Sequence, residues 1–326
     1  MTLSHRPVPG GIVVCGLIIV LLLTCASCKR EAGDGKSNSV VITKTYWADS
    51  SLQGTFDLHL AEYQAFEPGE YPPLNAFEGF SNEGQDGLEE MSDKWLALFV
   101  DAPTVNCIHH SPNRDYLDLA AYHDDEMGIY TSKEWFPSLG STALAITQYF
   151  GYYRLQSTGE VWLEMTHADI IFNYKNFKFS EYDHSSRASG TYDLLSIGLH
   201  ELGHFWGLQH SPHHDAVMYP SIGQSVDKRD IDDYDRLAFQ TIYGDLAVGA
   251  APMRRALFAK NMAQNFQAAD DPAPRAAADA PAAPTLDIGP WDGEDTLYRF
   301  VVEHRADGTV YEHPPVKFIP WCSATL

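Results

Sequence analysis

Residues 200–210 read His-Glu-Leu-Gly-His-Phe-Trp-Gly-Leu-Gln-His, and no other segment limits the fold of this chain as strongly. On an α-helix His200 and His204 lie on one face about one turn apart, so both imidazoles can reach a single ion. His210 cannot join them from a continuing helix, because six residues beyond His204 it would face away. The helix must end and the chain must turn, and Gly207 tolerates the positive φ that a sharp turn often requires. Three imidazoles that leave a fourth position open suit a catalytic zinc ion, with nitrogens at roughly 2.0 to 2.1 Å. Glu201, between two ligands and itself none, suits a general base. With independent residues at this composition the longer pattern arises by chance in roughly one chain in ten thousand. A zinc that only braced the fold would leave Glu201 without a task.

The spacing His-Glu-x-x-His-x-x-Gly-x-x-His resembles the signature of the metzincin metallopeptidases. That resemblance implies an α+β fold: a twisted, mostly parallel sheet above a cleft, the active-site helix below it, and a small C-terminal subdomain with a methionine turn and last helix. Val217-Met218-Tyr219-Pro220 is similar to that turn, with Met218 as a soft apolar floor beneath the metal. Within the metzincins the chain most resembles the matrixins, the matrix metalloproteinase-like branch. Ser211 directly after the third histidine, Asp230-Ile231-Asp232 running into Ile242-Tyr243-Gly244, and Ala168-Asp169-Ile170 in the strand before the helix all carry the likeness. It covers residues 141 to 244 well and the earlier part only by element order.

The resemblance implies a zinc metalloendopeptidase: a zinc-bound water, activated by Glu201, hydrolyses internal bonds of protein or peptide substrates. Asp169 matches a calcium-binding position of the family, so the likeness also allows Ca2+, although one oxygen ligand does not define such a site. There are departures. No His-x-Asp loop with spaced histidines lies between Asp169 and His200, so the structural zinc of animal matrixins is not expected. Cys107 lacks the Pro-Arg-Cys-Gly setting of an inhibitory propeptide, and Pro220-Ser221-Ile222 replaces the usual Pro-x-Tyr of the specificity wall. The rival reading is a lipid-anchored binding protein with a structural zinc site.

At the N-terminus His5 and Arg6 precede an apolar run from Gly11 to Leu23, followed by Ala26-Ser27-Cys28. The run is short for a membrane span but suits an export signal. The segment resembles a bacterial lipoprotein signal, in which Cys28 would be lipidated and become the new N-terminus. The expected protein is extracytoplasmic and held to the cell envelope by that lipid; a secreted soluble protein is the alternative. A formal charge of -22 repels phosphate backbones, so no nucleic-acid partner is expected.

The expected organisation is a signal over 1–27, a polar tether over 28–39, the catalytic domain over 40–244, an Ala- and Pro-rich linker over 245–290 and a small β-element over 291–326. Apolar spacing predicts a helix over 86–99 through Leu88, Met91, Trp95 and Leu98, the active-site helix over 192–208, and a last helix over 230–243 with Asp227 as N-cap and Gly244 as its stop. β-Branched and aromatic runs predict a hairpin from 143–150 and 160–173, and Asp307-Gly308 predicts a second, tight one.

Overall fold

The computed structural model describes residues 40–62, 64–65, 77–114, 116–183, 185–248, 285–286, 296–309 and 311–318. The expected signal, tether and most of the linker, with Cys28 and Cys322, lie outside the described residues.

Alternation of apolar and polar residues is clearest in Val161–Asn173, where Val161, Leu163 and Met165 are buried and Trp162 and Glu164 are not. From His167 onward every residue of that strand is buried, the pattern of a strand covered on both faces. It forms the centre of a ten-stranded sheet. The strands used below are Val40–Trp47 (β1), Thr55–Ala61 (β2), Thr104–Ser111 (β3), Met127–Ser132 (β4), Ala143–Leu155 (β5), Val161–Asn173 (β6), Leu297–Arg305 (β7), Tyr311–Glu312 (β8) and Val316–Lys317 (β9). Their order is β8-β7-β5-β6-β4-β2-β3, with β1 beside the first half of β6 and β9 also on β7. β1, β2, β3, β4 and β6 run parallel, whereas β5 and β7 are antiparallel additions. This is the α+β arrangement expected, and the β5–β6 hairpin forms where it was predicted.

Three helices pack with this sheet. Asn82–Leu96 (α1) starts earlier than its apolar stripe suggested, because the Ser81 hydroxyl accepts from the Gly84 N–H and caps it. Leu194–Phe205 (α2) carries the histidine pair and is buried at every position, as befits a helix that is apolar on most of its circumference. Asp233–Tyr243 (α3) begins at a capping box made by Asp232 and Asp235. Asp227, the expected cap, instead pairs with Arg187 at 2.7 Å, and Gly244 ends the helix at φ +57°.

The chain does not leave this fold at Gly244. β7, expected in a separate element, runs antiparallel along β5 with Val302 opposite Thr147 and His304 opposite Ala145. Tyr298, Phe300, Val301 and Val302 are buried, and the Phe300 ring stacks on Tyr149 with centroids 5.3 Å apart. A strand of this pattern gains burial and satisfies the open hydrogen-bonding edge of β5. The predicted hairpin forms, but not with Asp307-Gly308 as a two-residue turn: the Gly308 N–H donates to the Arg305 carbonyl at 3.1 Å, Gly308 alone of the pair has positive φ (+75°), and the Thr309 N–H donates to the Asp307 carboxylate.

Buried Asp193 sets the start of α2. Its carboxylate caps the helix by accepting from the Ser196 N–H at 2.9 Å, and it also accepts from Arg187 at 2.8 Å and from Arg229 at 2.6 and 2.9 Å. Removing it loses the cap and one carboxylate partner of each arginine, leaving Arg187 with Asp227 and Arg229 with Asp183. Asp193→Ala should lower the unfolding free energy by about 1 to 2 kcal/mol, measured by urea denaturation of the full chain; an unchanged midpoint would show that the remaining pairs hold the helix start.

Candidate active site

α2 presents His200 and His204 from consecutive turns, and the chain beyond it brings back His210. The ligand nitrogens of these three histidines all lie within 4.8 Å of one another. Each helical imidazole is oriented from behind: Nδ1 of His200 donates to the Val217 carbonyl at 2.8 Å, and Nδ1 of His204 to the Leu208 carbonyl at 2.7 Å. A carbonyl only accepts, so the proton resides on Nδ1 and the Nε2 lone pair is free for a metal. Nε2 of His204 stands 3.2 Å from Nε2 of His210. Two nitrogens on one tetrahedral zinc are separated by roughly 3.3 to 3.4 Å, so the pair already has nearly the spacing an ion imposes.

Burial favours the neutral, ligand-competent form of every imidazole. It lowers His204 to about 4, and His200 and His210 lie well below the usual histidine range, with the neighbouring histidines adding to the effect. His200 Nε2, Glu201 Oε1 and His210 Nδ1 are buried polar atoms without a hydrogen-bond partner among the described residues. The orphaned His200 Nε2, together with the facing Nε2 atoms of His204 and His210, fits a metal ion.

Glu201 is fully buried. Thr147 on β5 donates from Oγ1 to Glu201 Oε2 at 2.5 Å, which leaves Oε1 for other chemistry. Burial lifts the carboxyl to about 8, against the lowering effect of the Thr147 bond. The group is thus a much stronger proton acceptor than an exposed glutamate.

Two local features hold this arrangement. Gly207 adopts φ +85° two residues past the end of α2, and a Cβ there would lie 2.3 Å from the Thr45 carbonyl oxygen of β1. The conformation and the close approach to β1 both demand glycine. The methionine turn packs beneath the histidines: a Cβ on Gly203 would meet Met218 Sδ at 2.2 Å and Trp95 at 2.9 Å. Asp235 of α3 secures the turn by accepting from the N–H groups of Val217 at 2.8 Å and Met218 at 3.1 Å. The Met218 carbonyl in turn accepts from the Ser211 N–H, beside the third histidine.

Against this geometry, comparison with known proteins is informative. Residues 120–244 match the matrixin family model. That matrixin-like segment contains the three histidines, Glu201, Gly207 and Met218, and it ends well before β7. Similar curated proteins include Metalloendoproteinase 4-MMP of Arabidopsis thaliana, 38% identical over 58 residues, which are 18% of this chain and 17% of that protein. Matrix metalloproteinase-2 of Drosophila melanogaster is 40% identical over 63 residues, 19% of this chain and 8% of the relative. Metalloendoproteinase 2-MMP of Arabidopsis thaliana is 40% identical over 52 residues, 16% and 14%. The chain therefore spans less than a fifth of the length of each of these relatives.

Asp169 does not join the site. Its buried carboxylate accepts from His167 Nε2 at 2.9 Å, the Gly128 N–H at 3.2 Å and Gln148 Nε2 at 3.5 Å. Calcium needs six to eight oxygen ligands, whereas these neighbours are nitrogen donors, so the calcium expectation is withdrawn. Cys107 on β3 is a free thiol that burial pushes up to about 12.

Sequence reasoning missed three participants. Thr147 lies in an unremarkable strand run. Asp235 had a signal, an aspartate three residues after a potential cap, but its contact with the methionine turn is tertiary. His304 arrives from the far end of the chain, and its ring stacks on His200 with centroids 3.9 Å apart and planes 25° apart. Gly207→Val should lower zinc affinity by about tenfold or more, since valine suits neither φ +85° nor the Thr45 contact; chelator competition on the purified chain measures it, and parent-like affinity would show that the turn relaxes.

Proposed function

We propose that this chain is a zinc-dependent metalloendopeptidase that hydrolyses internal bonds of protein or peptide substrates. The observation that carries the reading is the convergence of the His200, His204 and His210 imidazoles beside one orphaned oxygen of the buried Glu201. The His200, His204 and His210 imidazoles would hold zinc, which when bound supplies polarisation of the scissile carbonyl and an acidified water. Glu201 then does the proton work of the reaction: Oε1 takes the proton of the attacking water and returns it to the departing amide nitrogen. Thr147 keeps the carboxylate from rotating by holding Oε2. No nucleophilic side chain is required. The names of the similar relatives, metalloendoproteinases and a matrix metalloproteinase, agree with this reading.

The short apolar run and Ala26-Ser27-Cys28 support an extracytoplasmic enzyme tethered by lipid on Cys28. Cys28→Ser should move the protein from the membrane fraction to the soluble fraction on centrifugation of expressing bacteria.

Glu201→Gln keeps the shape of the side chain and removes its basicity. It should retain zinc near one per chain while hydrolysis of a quenched peptide falls by about a hundredfold or more. His204→Ala should lose metal and activity together. Atomic spectroscopy and turnover on the same preparations decide the matter; full activity in Glu201→Gln would assign the base to another group.

A further inference from the structure

β5 is the strand that flanks the catalytic base. Thr147 contacts both the backbone carbonyl of Glu201, at 3.2 Å, and its carboxylate. Without β7 this strand would be the exposed edge of the sheet. A peptide that must lie extended beside Glu201 has there a ready row of backbone donors and acceptors, since extended peptides bind by adding a strand to a free edge. In this structure the place is taken. Leu297–Arg305 pairs with β5 along its whole length, and Val302, Glu303 and His304 lie opposite Thr147, Ile146 and Ala145.

The occupant is firmly seated. Phe300 stacks on Tyr149, and buried Glu303 accepts from the Gly140 N–H at 3.1 Å, from Arg305 at 2.6 Å and from His313 at 2.6 Å. At its end His304 enters the metal site. Its side chain is 2% exposed, its Nδ1 stands 3.7 Å from Glu201 Oε1, and neither ring nitrogen has a hydrogen-bond partner among the described residues. Its ligand atom, those of His200 and of Glu201 lie within 4.8 Å of one another, a second candidate group that shares His200 with the first. A buried imidazole with both nitrogens unsatisfied is costly, and the cost is relieved when β7 leaves and the ring reaches water.

We infer that β7 is a resident inhibitory strand: it occupies the substrate's position on β5 and seats the His304 ring against His200 and Glu201, covering the approach to the metal site until the strand is displaced. This rests on the peptidase reading for its meaning, but its structural claim, closure of the site by β7, is separately measurable. Glu201 is fully buried in this arrangement, so no peptide carbonyl can reach it while β7 is in place. Hydrolysis by the intact chain is then scaled by the fraction in which β7 has left the edge.

The test uses the full chain loaded with Co2+, whose visible spectrum reports ligand number and type, and acetohydroxamate as a small probe of the open position. The spectrum of the parent should change little with acetohydroxamate. His304→Ala should bind the probe saturably, with a spectrum that shifts on binding and peptide turnover raised by about tenfold or more. Phe300→Ala, which removes the ring stacked on Tyr149 and loosens β7 without altering a residue of the metal site, should bind the probe in the same way and serves if the His304 variant folds poorly. Identical spectra and identical probe binding in parent and variants would overturn the inference. Spectral and binding changes as expected, with no hydrolysis in any variant, would uphold closure by β7 and refute the peptidase reading instead.

Discussion

Three imidazoles meet at one point only because α2 stops where it does. Gly207, at φ +85° and so near β1 that a Cβ would lie 2.3 Å from the Thr45 carbonyl oxygen, turns the chain back against β1. The reversal delivers Leu208, whose carbonyl orients His204, and then His210. Everything chemical in the site depends on this: a helix continued past Trp206 would leave two ligands and no third, and a bulkier residue at 207 would be driven into β1.

The site is also built from outside the helix. The carbonyls of Val217 and Leu208 select the Nδ1-protonated form of two histidines, and Asp235 fixes the turn that carries Val217. Three aromatic side chains tie α2 and its end to other elements: Trp95 donates to the Leu199 carbonyl, Trp47 to that of Phe205 and Tyr243 to that of Trp206. Each bond satisfies a buried carbonyl, and the carbonyls of Phe205 and Trp206 belong to the helix end, where intrahelical partners run out. The candidate metal site is thus held by hydrogen bonds from several elements, and burial favours neutral imidazoles and raises the Glu201 carboxyl.

The antiparallel edge carries the regulation. Five parallel strands form the body of the sheet, and β5 turns back along β6 to place Thr147 against Glu201. An edge in that position is both a substrate platform and a site at which any available strand can pair. β7 is such a strand, and the matrixin-like segment does not include it.

Much of this was legible from residue order alone. The spacing of His200, His204 and His210 specified a helix, a turn and a third ligand, because helical periodicity and the conformational freedom of glycine are local properties. The same holds for the methionine turn, the β5–β6 hairpin and the hairpin around Asp307-Gly308, though not for its turn type. Local pattern also marked 296–303 as a strand. It did not say which edge that strand would join, and the Ala- and Pro-rich composition before it suggested a boundary at Gly244 that the sheet does not respect. Asp169 matched a metal position by likeness, yet its neighbours His167, Gln148 and Gly128 made it a hydrogen-bond acceptor of the core. The candidate ligands and base were determined by short-range geometry written in the sequence; the placement of Thr147, Asp235 and His304 was decided only by tertiary structure, because strand pairing and side-chain packing depend on which surfaces the rest of the chain leaves open.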